Sequence, residues 1–182
     1  WQSYGRQSRR FEIIVDNIIK AGVTASDTLV DIGCGYGAFL KFLHSRKDLS
    51  PAHYCGLDIS KEMIEFCRKT YRSKNVSFFN VSNLGRYCSL SVISGAFNRA
   101  ATRNLFKWEN YVASNLLNIW RCTQKTMVFN MQHTPLKKSL ITNDMIYYIS
   151  ETQLSALLDR VGAQYWLVYD AYLPNDITII IR

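Results

Sequence analysis

The sequence predicts an α/β fold in which helices cover both faces of a mainly parallel, seven-strand sheet that closes in a C-terminal antiparallel hairpin. Three observations carry this expectation. Apolar runs of strand length alternate with stretches of helical periodicity along the 182 residues. The first such run leads directly into a glycine-rich turn and then into a helix. The last two runs, 164–169 and 177–181, lie too close together for a helical crossover and must pair antiparallel.

Each element has its own signal. Phe11, Ile14, Val15 and Ile18 recur at i, i+3, i+4 and i+7, which predicts an amphipathic helix ending near Ala21 and Gly22. Residues 28–32 form a short apolar run before the glycines, hence a buried strand, and 38–44 resume as a helix. Residues 53–57 are a second strand. Met63, Phe66, Cys67 and Thr70 keep helical spacing, with Ser60 and Glu62 suited to the first turn. Residues 76–80 and 90–94 predict a third and fourth strand. Trp108, Tyr111, Val112, Leu116, Ile119 and Trp120 trace one helical face, and 126–131 is a fifth strand. Ser150-Glu151-Thr152-Gln153 has the form of a capping box, followed by Leu154, Leu157, Leu158 and Val161 and stopped at Gly162. The final strands join across Leu173, Pro174, Asn175 and Asp176.

The length suits one domain, with 1–24 as an N-terminal helical segment and 25–182 as the core. No repeat, low-complexity tract or Pro/Gly/Ser linker divides it. No apolar run approaches the roughly 20 residues that span a bilayer, and no secretory h-region opens the chain. Because it begins at Trp1 rather than Met, residues upstream are expected to have been trimmed, processed or left out of the structure. Five cysteines (Cys34, Cys55, Cys67, Cys88, Cys122) are scattered without a C-x-x-C pair, which predicts reduced thiols, no metal site and a cytoplasmic protein. The net charge of +8 suits an anionic partner, whether nucleic acid, a phosphorylated small molecule or an anionic membrane. The basic residues are spread rather than massed, so charge alone does not favour nucleic acid.

The chemistry sits in Leu29-Val30-Asp31-Ile32-Gly33-Cys34-Gly35-Tyr36-Gly37, an acid on a strand end followed by G-x-G-x-G. Glycines there let the backbone turn sharply and approach a ligand, with the next helix N-terminus alongside. Asp58 ends the next strand, 21 residues beyond Gly37, where a carboxylate accepts hydrogen bonds from ribose hydroxyls. Two other readings compete: a structural turn beside a helix-capping Asp58, and a nicotinamide-dinucleotide site. The latter prefers G-x-G-x-x-G. The tighter glycine spacing and the preceding acid favour a nucleoside cofactor with a charged amino-acid tail.

The run Asp31–Gly37 resembles the first motif of class I S-adenosylmethionine-dependent methyltransferases, and Gly56-Leu57-Asp58-Ile59-Ser60 resembles the acidic end of their second strand. A poorly characterised bacterial branch is similar in Arg10-Phe11, Ser94-Gly95-Ala96-Phe97-Asn98, Phe129-Asn130-Met131 and Tyr172-Leu173-Pro174. The resemblance implies a Rossmann-like three-layer fold and S-adenosylmethionine as cofactor. It implies that Gly33 and Gly35 pass beneath the methionine part, with Asp31 organising the loop, and that Asp58 holds the ribose. Ile59 and Met63 flank the adenine, and Ser94 and Gly95 offer carbonyls to the ammonium. Arg10, or second to it Arg6, pairs with the cofactor carboxylate, where a guanidinium fork is well shaped. Tyr4 closes over that end. A solvated helix start is the competing reading of Arg6, Arg9 and Arg10. The family often places Asp after the third strand to receive the adenine amino group. Here Ser82 or Asn83 stands there, a weaker acceptor because neither is charged.

Methyl transfer from a sulfonium needs mainly alignment of the acceptor. A base helps where an O–H or N–H must be deprotonated. Asn98, Asn130 and His133 are the candidates, against an equally acceptable reading of His133 as a loop residue. Tyr147 and Tyr148 wall an acceptor pocket or belong to the core. Ser94-Gly95-Ala96-Phe97 replaces the Asn/Asp-Pro-Pro-aromatic tetrad of nucleobase amino-methyltransferases, which argues against that substrate. The leading expectation is an enzyme methylating O or N of a small molecule. An RNA methyltransferase and a non-catalytic cofactor-binding module within a larger assembly are the alternatives; oligomeric state stays open.

Overall fold

A computed structural model describes residues 4–182 except 23, 25, 47, 48, 50, 82–84 and 86. Among the described residues the chain forms five helices and nine strands. In order these are α1 (Tyr4–Lys20), β1 (Thr28–Ile32), α2 (Ala38–Ser45), β2 (His53–Asp58), α3 (Lys61–Thr70), β3 (Val76–Asn80), β4 (Cys88–Ser94) and α4 (Leu105–Arg121). Then follow β5 (Thr123–His133), β6 (Leu140–Ile141), β7 (Tyr147–Ile149), α5 (Glu151–Val161), β8 (Trp166–Leu173) and β9 (Asp176–Ile181).

The pairings give the order β3-β2-β1-β4-β5-β9-β8, parallel through β5, with β9 antiparallel to both its neighbours. This is the expected seven-strand, Rossmann-like sheet with its closing hairpin. The hairpin is tighter than the sequence suggested. Leu173 pairs with Asp176, so only Pro174 and Asn175 turn the chain, and Asn175 takes φ 57 to do it. Asp176 is therefore the first residue of β9 rather than part of a connection. Two short strands were not expected: β7 runs parallel to the end of β5, beyond the last residue of β4, and β6 pairs antiparallel to β7.

Two cores flank the sheet. Along β5, Met127, Phe129 and Met131 face α4 and α5, while Val128 faces α1, α2 and α3. β9 is buried along its whole length, with Ile177, Ile179 and Ile181 on one side and Ile180 on the other. Helix starts follow their caps: the Ser60, Asn104 and Ser150 side chains accept the N–H of Met63, Lys107 and Gln153. Residues 81–87 connect β3 to β4. A 510 Å³ trough lined by Val30, His53, Cys55, Leu57, Phe79 and Tyr87 lies there on the sheet face. No described helix is long and apolar enough to cross a membrane.

Candidate active site

The β1–α2 loop is tied to the end of β2. Leu57 O accepts the N–H of Gly33 at 2.8 Å and of Cys34 at 3.0 Å. Asp58 Oδ2 accepts the N–H of Gly35 at 2.9 Å, and its Oδ1 accepts that of Ser60 at 2.8 Å. One carboxylate thus couples the glycine loop to the start of α3, and each oxygen keeps a further lone pair. Gly33 has φ 75, and a Cβ there would stand 2.7 Å from Ala96 Cβ, so both conformation and packing require glycine. Gly35 has φ 54 but faces open space apart from Met63 Sδ at 3.8 Å. Ile59 projects beside it, 78 % exposed.

Asp31 is buried on β1 and accepts the Tyr54 hydroxyl from β2 at 2.5 Å. Burial pushes its carboxyl up to about 7; the Tyr54 hydroxyl opposes that and the Asp58 charge adds to it. Cys34 and Cys67 both direct their thiols at Gly35 O, and burial raises both above the ordinary thiol range.

Across β1 from β2, β4 ends in Ser94, followed by Gly95 with φ 80. Gly95 O receives the N–H of Asn98, whose Oδ1 receives the N–H of Gln132 and whose carbonyl receives that of Tyr147. Asn98 therefore clips β5 and β7 to the turn that follows β4. Asn130 is buried on β5, in register with Ser94 on one side and Thr178 on the other. Arg10 is buried beneath α1, its Nε 2.5 Å from Asp176 Oδ2. Among the described residues its two Nη groups take no hydrogen bond. Arg6 donates to Pro174 O, and Arg9 pairs with Glu12 at the surface. His133 ends β5 half-buried, on a 360 Å³ pocket shared with Pro135, Asp170, Asn175, Asp176 and Ile177. Tyr147 is core, its hydroxyl donating to Glu109 on α4, while Tyr148 is half-buried. Tyr4 opens α1 but its side chain lies outside the described residues, as do Ser82 and Asn83.

The glycine loop, Asp58, Ile59 and Met63 thus meet at one end of the crevice, while Arg10, Asn130 and His133 gather past β4 at the end of β5. Sequence reasoning missed Asp176, the residue that joins this second group. A signal was present: Asp176 directly precedes a run apolar except for Thr178, and β9 is buried along its whole length.

Residues 24–86, which hold the loop and Asp58, match the family described as a methyltransferase domain. A Mycobacterium tuberculosis protein named "Putative methyltransferase Rv1506c" is 26% identical over 163 residues, spanning 88% of this chain and 96% of that protein. Magnesium protoporphyrin IX methyltransferase of Synechocystis, solved with S-adenosylhomocysteine, superposes with a TM-score of 0.69 at 11% identity, over 96% of this chain and 82% of that one. Human N-acetylserotonin methyltransferase, in complex with S-adenosylmethionine, gives 0.66 at 14% identity, over 100% of this chain and 56% of that one. These two likenesses establish the Rossmann-like fold.

Proposed function

We propose that this chain is a class I methyltransferase that uses S-adenosylmethionine to methylate an oxygen or nitrogen of a small-molecule acceptor. The observation that carries the reading is Asp58, whose carboxylate holds the Gly35 N–H and the start of α3 together at the mouth of the crevice. The methyltransferase-domain match over 24–86 supports it, as do the cofactors bound by structural neighbours. The acceptor class follows the small molecules for which those neighbours are named, a porphyrin and N-acetylserotonin. Five cysteines scattered without a C-x-x-C pair support a reducing, cytoplasmic location.

The residues present fit the cofactor. Ile59 exposes an apolar side chain beside a carboxylate, which suits a flat base above a ribose. Gly35 leaves its Cα side open toward Met63. The Nη groups of Arg10 are shaped for a carboxylate. When bound, the cofactor supplies a methyl group already activated on a sulfonium. The chain's own work is to bind and align: Asp58 accepts from the ribose, Gly33 and Gly35 let the backbone approach, and Ile59 and Met63 exclude water from the base. His133, whose ring makes no hydrogen bond among the described residues, is placed to take a proton from an O–H or N–H acceptor in the adjoining pocket.

Calorimetric titration with S-adenosylmethionine and S-adenosylhomocysteine, with NAD as control, tests the reading. Micromolar binding of the first two alone is expected; binding of NAD alone, or of none, overturns it. Asp58→Ala should weaken cofactor binding by roughly 1–3 kcal/mol, because a charged acceptor is lost in a partly buried site. An unchanged affinity would move the pocket elsewhere.

A further inference from the structure

We propose that the outer face of α2 and α3 binds a single strand of nucleic acid, held through its phosphates by Lys41, Lys69, Arg72 and Lys74 and through its bases by Tyr36 and Phe66. The proposal adds a partner to the methyltransferase reading and stands separately from it.

The basic residues are spread along the sequence, but the fold gathers two stretches that contain no acid. These are 36–46, with Lys41 and Arg46, and 66–76, with Arg68, Lys69, Arg72 and Lys74. Tyr71 joins them. It caps the end of α3, its hydroxyl donates to Gly37 O at 3.3 Å, and its ring centre lies 6.4 Å from that of His44. Tyr71 therefore lies along two turns of α2, on the face that also carries Lys41. The packing is close, since a Cβ on Gly37 would stand 2.6 Å from the Tyr71 ring. Lys41, Lys69, Arg72 and Lys74 are exposed and make no ion pair among the described residues. The other two cations are engaged, Arg46 with Asp16 at 3.1 Å and Arg68 with Phe78 O through Nε and Nη2. Unmatched like charges on one face raise a positive potential that a polyanion relieves.

Two rings extend this face toward the glycine loop. Tyr36 is 56 % exposed and Phe66 47 %, with ring centres 5.2 Å apart at 85°. The Tyr71 hydroxyl also reaches Tyr36 O at 3.5 Å, and Phe66 stands one turn before Lys69 on α3, so the rings and the cations adjoin. Cations on phosphates and aromatic rings under bases are the two contacts that hold a single strand. A bilayer fits the face less well. Glu62 and Glu65 flank Phe66 on α3, and inserting that ring would press both carboxylates against anionic headgroups.

Fluorescence anisotropy of a labelled, mixed-sequence RNA of roughly 12 nucleotides, titrated with the full chain over a salt series, tests the proposal. Arg72→Ala with Lys74→Ala should weaken binding about fivefold or more and make the slope of log K against log salt shallower by about 1.4, the share of two phosphate contacts. Lys107→Ala with Arg121→Ala on α4 removes the same charge on the opposite side of the sheet and should change affinity less than about twofold. Phe66→Ala should weaken the RNA about threefold or more and leave an abasic strand of equal length unaffected. Thermal melting checks that each variant folds. Equal losses from the two charge pairs would reduce the effect to net charge, and an unchanged Phe66→Ala would remove the stacking contact; either overturns the proposal. Capture by phosphatidylserine vesicles without RNA binding would make the face a membrane surface and also overturns it. S-adenosylmethionine titration of the same samples keeps the readings apart. Cofactor binding without RNA binding removes only this proposal, and RNA binding without cofactor binding removes only the methyltransferase reading.

Discussion

Asp31 sits where a carboxyl pays for its burial in protons. The unfolded chain loses this proton near 3.8, while the folded carboxyl holds it to about 7. Between those values the native state binds more protons than the unfolded state, so stability falls as pH rises through the window. The loss attributable to this one group is at most about 4 kcal/mol. Urea denaturation at pH 4.5 and 7.5 should show it as a slope that Asp31→Asn removes; the same slope in the variant would assign it to other groups. The two acids of the crevice were legible as residues, Asp31 and Asp58, because each precedes or follows a glycine signal on a strand end. Their partners were not. Tyr54 reaches Asp31 from the neighbouring strand, and Asp176 meets Arg10 across 166 positions. Pairings of that kind depend on strand order and register, which a local pattern does not contain.

Elements were read best where a cap and a period agreed. α5 begins at Ser150, as the capping box predicted, but the box is only half formed: Ser150 Oγ accepts the Gln153 N–H, while the Ser150 N–H goes to Ser139 Oγ at 2.9 Å. The residue therefore anchors both the helix and the segment leading into β6. Ser150→Ala should cost about 1 kcal/mol for the cap, with the backbone N–H still reaching Ser139 Oγ, as chemical denaturation would measure. An unaltered midpoint would mean that the helix start is held by packing. β6 and β7 escaped the sequence reading because they are two and three residues long, too short for alternation to register. β7 forms only because β5 outruns β4 and leaves its edge unpaired. The hairpin was legible as a pair of strands, yet its turn was drawn too long: an Asn with positive φ at 175 lets two residues do what four were expected to do.

Over the whole molecule, the two cores account for the cysteines as well as for the strand order. Cys34, Cys67 and Cys88 are buried, and Cys55 and Cys122 are half-buried. Burial raises Cys67 and Cys88 to about 11, so little thiolate forms at neutral pH. A thiol-reactive chromophore should modify Cys55 and Cys122 first in the native protein and all five only in denaturant. Rapid native labelling of Cys34 would show that the glycine loop opens. The overall layering was legible because strand and helix periods alternate cleanly. The trough over β2 and β3 was not foreseen, because it depends on how neighbouring strands set their side chains on one sheet face. The union of Arg10 with Asp176 also sets an order in time. A ribosome adding about 5–20 residues per second delivers Asp176 roughly 8–33 seconds after Arg10. For that interval the first helix carries an unmatched guanidinium on a chain whose glycine loop is already made. The glycine loop and Asp58 are thus synthesised well before Asp176, and Arg10 gains its buried partner only when the β8–β9 hairpin forms.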